Sequence, residues 1–157
     1  MKIEFRPAAI PDAVKILEMM QQFYLIDNYS FSKDTTAENI IDFINTPSFG
    51  KIWLIENNDG IIGYIILAFI FSFEFKGKNA FVDELYLEDK YRSLGIGTKA
   101  IDFVAGEAKK LNITALHLEV EKHNENALKV YRKHGFSDHN RLLMTKHIDK
   151  HTLQQTE

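Results

Sequence analysis

Two apolar stretches, Ile52 to Glu56 and Ile61 to Phe71, are separated by Asn57-Asn58-Asp59-Gly60. Asp-Gly readily supplies the positive φ of a tight turn, so the two stretches are predicted to pair as an antiparallel hairpin. The second stretch is too short for a bilayer span, which takes about 20 residues, and reads as a buried strand. A hairpin at the centre of the chain rules out an all-parallel sheet. What flanks it decides the class.

Upstream, Lys2 to Arg6 alternates as an opening strand stopped by Pro7. Pro11-Asp12 starts a helix on which Ala13, Ile16, Leu17, Met20, Phe23 and Tyr24 form one apolar stripe. Asp27-Asn28-Tyr29-Ser30 ends it, and a second short helix is predicted from Thr36 to Ile44. Downstream come a strand from Ala80 to Leu87, a helix from Gly95 to Leu111, a strand from Ala115 to Val120 and a helix from Asn124 to Lys133. Gly135 closes that last helix in the usual way. A final strand is expected from Arg141 to Lys146. The order predicts one mixed α/β domain over residues 1–148 with an antiparallel front half, and a polar tail over 149–157.

Composition narrows function by exclusion. A net charge of −3 with both signs interspersed suits neither a nucleic-acid nor a membrane-surface binder. The absence of cysteine removes disulfides, thiolate metal sites and a Cys–acyl intermediate. The six histidines, at 117, 123, 134, 139, 147 and 151, make no clean ligand pair on a helix, so no metal is expected. The first residues lack a signal-peptide core, and a cytoplasmic location is expected by default.

The most informative segment is Tyr91-Arg92-Ser93-Leu94-Gly95-Ile96-Gly97-Thr98, between a strand and a helix. Glycines let a ligand approach the backbone. The first amides of the helix lack intrahelical partners and, with the helix dipole, form an anion site suited to a diphosphate. Arg92 and Thr98 offer further donors. Three readings compete. The glycines can simply permit a tight turn. Gly95-x-Gly97-x-x-Ala100 with Glu119 downstream fits a loose dinucleotide fingerprint, but about seven residues separate Leu87 from Gly95 where that motif follows its strand directly. The third reading is the phosphate loop of an acyl-CoA-dependent transferase.

Arg92-x-x-Gly95-x-Gly97 resembles the Gln/Arg-x-x-Gly-x-Gly/Ala signature of the GNAT superfamily, with Ser93 where many members carry Gly. Asn124-x-x-Ala127-x-x-x-Tyr131-x-x-x-Gly135-Phe136 is similar to that family's Asn-x-x-Ala…Tyr…Gly-Phe segment. Either motif alone is weak; the two in order, one helix and one strand apart, are specific. The resemblance implies a mostly antiparallel sheet with helices on both faces, splayed between the fourth and fifth strands. It implies an N-acetyltransferase that moves an acetyl group from acetyl-CoA to a small-molecule primary amine, polyamine-type or other, by direct attack in a ternary complex. A homodimer is the family expectation.

Roles follow from the same resemblance. The backbone of Leu85, Tyr86 and Leu87 would pair with the pantetheine arm as an added strand would. Residues Arg92, Ser93, Leu94, Gly95, Ile96, Gly97 and Thr98 would hold the diphosphate, and Asn124 would contact the coenzyme. Tyr131 would protonate the departing thiolate; its plain alternative is a core tyrosine with a satisfied hydroxyl. A thiol titrates near about 8.5 and a phenol near about 10, so a positioned donor is needed rather than a strong acid.

Asp83 and Glu84 interrupt an otherwise apolar strand, and period two predicts them on opposite faces. A buried unpaired carboxylate is costly, so one of them is either ion-paired or at work. An alkylamine with pKa about 10.4 is roughly one part in 2,500 free base at pH 7, a deficit of about 4.6 kcal/mol. A carboxylate base near the acetyl group would take up that proton, and family register favours Glu84. For the substrate, Phe23, Tyr24, Asp27 and Tyr29 at the end of the first helix form one candidate wall, since two aromatics plus acids suit an alkylammonium. Glu74 and Asp83 are further candidates. Phe71, Phe73 and Phe75 read as either strand packing, a dimer contact or a second wall. The wall at the end of the first helix also suits a peptide N-terminus, so a protein N-acetyltransferase is an alternative. Two other classes stay open: a catalytically quiet acyl-CoA sensor, and an interaction domain whose loop binds nothing.

Overall fold

The hairpin forms where the turn residues place it. In the computed structural model, which describes residues 1–148, β2 (Gly50–Asn57) pairs antiparallel with β3 (Gly60–Ser72), and Asn57 stands opposite Gly60. The Asp59 amide donates to Asn57 Oδ1 at 2.8 Å, fixing the turn. β1 (Glu4–Pro7) adds to β2, and β4 (Gly77–Leu87) adds to β3, both antiparallel. β5 (Leu116–His117) joins β4 in parallel, completing a five-stranded sheet in the order β1-β2-β3-β4-β5.

Helices cover both faces, which explains the near-continuous apolar character of Ile61 to Phe71. Tyr64 and Ile66 meet Ile16, Met19 and Met20 of α1 (Ala13–Ile26) and Ile40 of α2 (Lys33–Asn45). Ile65 and Leu67 meet Ile96, Ala100, Ile101 and Val104 of α3 (Ile96–Lys110), with Trp53 and Ile55 of β2 in the same cluster. Each fully buried aliphatic side chain contributes about 1.5–3 kcal/mol against exposure, and a one-residue slip of β3 would send each set into the core packed for the other, so it is strongly opposed. α4 (Glu125–Lys133) follows β5 and buries no residue completely. It is tied to α3 by His134 Nδ1 and Asp102 Oδ1, 2.8 Å apart.

The expected strand from Arg141 to Lys146 is absent, and the fifth strand is shorter than predicted. Leu142, Leu143 and Met144 are exposed. Three consecutive apolar residues cannot place one face on a core as alternation does, and the segment is held by a bidentate Arg141–Glu74 pair instead of a ladder. Residues 149–157, read from sequence as a polar tail, lie outside the described residues.

The first helix is set by Asp12. Its carboxylate accepts two bonds from Arg6 at 2.9 and 3.0 Å and one from the Ala9 amide at 2.8 Å. The Arg6 guanidinium holds the Asp12 carboxyl below the usual carboxylate range. A depressed acid stabilises the fold above its unfolded pKa of about 3.9 and loses that contribution as pH falls through the folded value. Asp12→Asn is therefore expected to cost about 1–2 kcal/mol at pH 7. Denaturant unfolding at pH 7 and at pH 3 checks this: the gap to wild type narrows at pH 3, and an equal gap at both refutes the account.

Candidate active site

β4 and β5 pair only at Ala80–Leu116 and Phe81–His117, and beyond that the ladder ends. The edge of β4 from Val82 to Leu87 faces an opening, as the expected splay requires. Its hydrogen-bonding groups can be placed from the β3 side. The Glu88 amide donates to Ile62 O at 2.9 Å, next to the Gly63–Leu87 and Ile65–Leu85 pairings. Antiparallel pairs alternate between bonded and non-bonded, so Leu87 and Leu85 turn their amides and carbonyls away from β3. The Leu87 carbonyl accepts from Arg92 Nε at 2.8 Å. The amides of Leu85 and Leu87 thus remain directed toward the opening. Their side chains pack on the α3 side of the sheet, while the Tyr86 ring is buried on the α1 side.

The glycine loop crosses the top of this opening. Ser93 at φ 60° and Gly95 at φ 76° both adopt the left-handed conformation, which bends the chain from a short 3-10 turn (Asp89–Tyr91) into α3. Tyr91 anchors one end, buried and donating to Asp59 Oδ2 at 2.8 Å; the Ile96 side chain, fully buried, anchors the other. Leu94 is exposed. Among the described residues no side chain caps α3, and its first bond runs from the Lys99 amide to Gly95 O at 3.2 Å. The amides of Ile96, Gly97 and Thr98 are left without a partner among the described residues. Packing does not demand glycine at 97: an added Cβ would meet only Leu85 Cδ2, at 3.9 Å. Gly95 is needed for its φ; Gly97 keeps the surface beside those amides bare. Arg92 is held by the structure itself: Nε donates to Leu87 O at 2.8 Å, Nη1 lies 2.7 Å from Asp89, and the guanidinium sits 5.5 Å from the Tyr86 ring.

The two carboxylates of β4 do not obey strict alternation. Glu84 pairs with Ile66 and Val82 with Leu67, so Asp83 is the extra residue of a bulge. The bulge switches the phase of the strand: Val82 faces α3, yet Glu84, two residues on, faces α1. Tyr24 of α1 donates to Glu84 Oε1 at 3.0 Å, and Tyr64 of β3 donates to Oε2 at 2.7 Å. Burial raises the Glu84 carboxyl above its ordinary range, the two phenol bonds pull it back, and the Asp83 charge pushes it up again. Burial raises the Tyr24 phenol, with the Glu84 charge and hydrogen bond and then the Asp83 charge adding to the rise. Burial and the adjacent Glu84 charge keep Tyr64 protonated far beyond neutral pH.

The end of α1 carries an aromatic cluster. Phe23 packs against Tyr86, and Tyr24 against Tyr29 and Phe31. Asp27 closes α1 as its C-terminal cap residue. The Tyr29 hydroxyl donates to Glu121 at 3.0 Å, linking this cluster to the chain after β5. Glu74 does not join it. It lies in the β3–β4 turn beyond Ser72–Gly77, the end of the hairpin opposite to Leu87, and both its oxygens are taken by Arg141 at 2.7 and 2.9 Å. Phe71 and Phe73 flank that turn, exposed, and form no wall to the opening. Sequence reading missed Tyr64. The available signal was a hydroxyl-bearing ring inside an apolar run, which demands a buried partner.

Tyr131, on α4, packs against Phe136 and lines a cleft of about 790 Å³ between α3, the chain around β5 and α4. Its hydroxyl bonds to no protein group among the described residues and is not sealed from solvent, while burial of the ring raises the phenol above its usual value. Glu84 and the glycine loop do not line this cleft. Asn124 caps α4, accepting from the Ala127 amide at 3.1 Å, so part of its motif is structural. Among the described residues, no group of three His, Cys, Asp or Glu is placed to hold a metal, and no helix is long and apolar enough to cross a membrane.

Residues 15–136 match the Acetyltransferase (GNAT) family. The chain belongs to that family. Its GNAT fold is shared with an integron cassette protein from the mobile metagenome of Cole Harbour Salt Marsh (TM-score 0.82, 28% identity, covering 92% of this chain and 90% of that one). It is shared too with a predicted acetyltransferase with acetyl-CoA from Clostridium acetobutylicum (TM-score 0.78, 22% identity, 92% of this chain and 96% of that one). In sequence, the GNAT chain is 33% identical over 78 residues to thialysine N-epsilon-acetyltransferase of Bos taurus, covering 50% of this chain and 45% of that relative. The mouse protein of the same name matches at the same level. The chain thus spans about half the length of the curated relatives it matches.

Proposed function

We propose that this GNAT chain transfers an acetyl group from acetyl-CoA to the primary amine of a small molecule by direct attack in a ternary complex. The observation that carries the reading is one juxtaposition. The amides of Ile96, Gly97 and Thr98, without a partner among the described residues, sit at the head of the opening into which the Leu85 and Leu87 amides point. The first set suits a diphosphate, the second an extended amide-bearing arm. Ser93 and Leu94 shape the loop, and Thr98 and the Asn124 amide nitrogen supply further donors to the coenzyme.

The chemistry is balanced by the chain's own residues. Glu84, directly or through a water, takes a proton from the ammonium. The free amine nitrogen bonds to the thioester carbon, whose oxygen is polarised by a β4 amide. The carbon–sulfur bond breaks as the nitrogen gives up its second proton to water, leaving a neutral amide; the Tyr131 hydroxyl protonates the thiolate and is itself reprotonated from solvent, to which Glu84 releases the proton it took. Tyr24, Tyr29 and Phe31 with Asp27 and Asp83 favour an acceptor whose amine ends an aliphatic chain. The relatives named for a side-chain ε-amine and the polyamine-type resemblance agree with that class.

The chain has no cysteine, so a thiol reagent reads released coenzyme without protein background. Calorimetric titration with acetyl-CoA is expected to give micromolar binding. Incubation with spermidine, lysine and an aminoglycoside is expected to release thiol only when an amine is present. Binding without transfer across the panel would replace the enzyme with a sensor; no binding at all would refute both.

A further inference from the structure

The Glu84 carboxylate is held in a way that no other acid among the described residues shares. Asp12 is gripped by a guanidinium, which drives it toward permanent ionisation. Glu84 is gripped by two neutral phenols from two different elements, and no Lys or Arg bonds to it among the described residues. We propose that Tyr64 and Tyr24 are positioning residues that orient the Glu84 carboxylate for its reaction with the amine, one hydroxyl on each oxygen. The inference rests on Glu84 being the proton acceptor of the proposed transfer.

Geometry argues for a built arrangement. The β4 bulge sets the face of Glu84; were Asp83 an ordinary paired residue of the strand, Glu84 would share the face of Val82. Tyr64 then meets it from the middle of β3, itself fully buried and stacked on Tyr86 with ring centroids 5.8 Å apart. Tyr24 meets it from the last turn of α1, braced by Phe23, Tyr29 and Phe31. Each carboxylate oxygen has two lone pairs, so one phenol apiece leaves one on each oxygen open to the amine. Fixing a rotamer from two directions is what a reacting group requires.

The choice of phenols has a chemical consequence. A base must keep an affinity for protons near working pH. A guanidinium partner would depress Glu84 as Arg6 depresses Asp12. Phenols order the carboxylate while only moderating the rise that burial and Asp83 impose. The groups facing Glu84 are thus Tyr24 from α1, Tyr64 from β3 and Asp83 from its own strand, and removing a phenol moves the balance upward.

The test is the pH profile of kcat/KM for the amine in Tyr64→Phe, Tyr24→Phe, Glu84→Gln and the Tyr64→Phe/Glu84→Gln double variant. The expected result is an acid limb shifted to higher pH in each phenylalanine variant. Turnover falls on the order of tenfold, with KM for acetyl-CoA unchanged. Glu84→Gln loses the limb, and the double variant is no slower than Glu84→Gln. A limb that stays at its wild-type position in both phenylalanine variants, while Glu84→Gln abolishes it, overturns the positioning role. A limb that survives in Glu84→Gln overturns Glu84 as the base instead. Should Tyr64→Phe fail to fold, Tyr24→Phe at the less buried end carries the same reading.

Discussion

Gly97→Asp is expected to melt a few degrees above wild type and to bind acetyl-CoA at least about a hundredfold more weakly. The two effects have opposite signs because the residue sits at the second position of α3, where fold and ligand want different things. For the fold, the change is favourable. An added Cβ meets nothing but Leu85 Cδ2 at 3.9 Å, so no strain is introduced. A carboxylate in the first turn of a helix gains about 0.3–1 kcal/mol from the dipole, and leaving glycine gains a few tenths more in propensity. Together these amount to roughly 1 kcal/mol, or about 2–4 °C in a chain of this size. For the ligand, the same carboxylate occupies the amides of Ile96, Gly97 and Thr98 and repels a diphosphate. A hundredfold loss corresponds to about 2.7 kcal/mol. Thermal melts and calorimetry on one preparation read both. A variant that is more stable yet binds acetyl-CoA normally would move the diphosphate away from α3 altogether.

The same opposition shows what could be read from the sequence alone. Asp59-Gly60, the α1 stripe and the loop around Gly95 are local patterns with local causes, and each appears where the pattern put it. Asp83-Glu84 is the contrary case. Alternation predicted opposite faces, but the register between β3 and β4 slips by one residue there, and a slip is a property of two strands, not of one. Tyr64 was hidden for a related reason. Its partner lies twenty residues on, and only the bulge brings that partner to its face. Glu74 and Arg92 are polar residues whose ionic and hydrogen-bonding partners were not visible in the motifs that singled them out. The strand expected at Arg141–Lys146 depended on a sheet edge willing to accept it, and β5 pairs with β4 at only two positions before diverging.

Tyr131→Phe separates an acid from a packing residue. A core tyrosine with a satisfied hydroxyl loses about 1 kcal/mol when that bond is removed. The Tyr131 hydroxyl has no protein partner among the described residues, so the phenylalanine variant is expected to melt within about 1–2 °C of wild type. Its ring, packed on Phe136, is retained by the substitution. On the proposed mechanism, what is lost is a proton source. Burial raises the phenol above its ordinary value, so it remains protonated through the working pH range and is available each time a thiolate departs. General acid catalysis of this kind contributes about 10²–10⁴-fold, so kcat is expected to fall by at least about a hundredfold while acetyl-CoA affinity stays within a factor of a few. The loss should shrink with an acyl donor whose thiol is more acidic, because a better leaving group needs less help. An equal loss with both donors, or a kcat near wild type, would take Tyr131 out of proton transfer and leave thiolate departure to solvent.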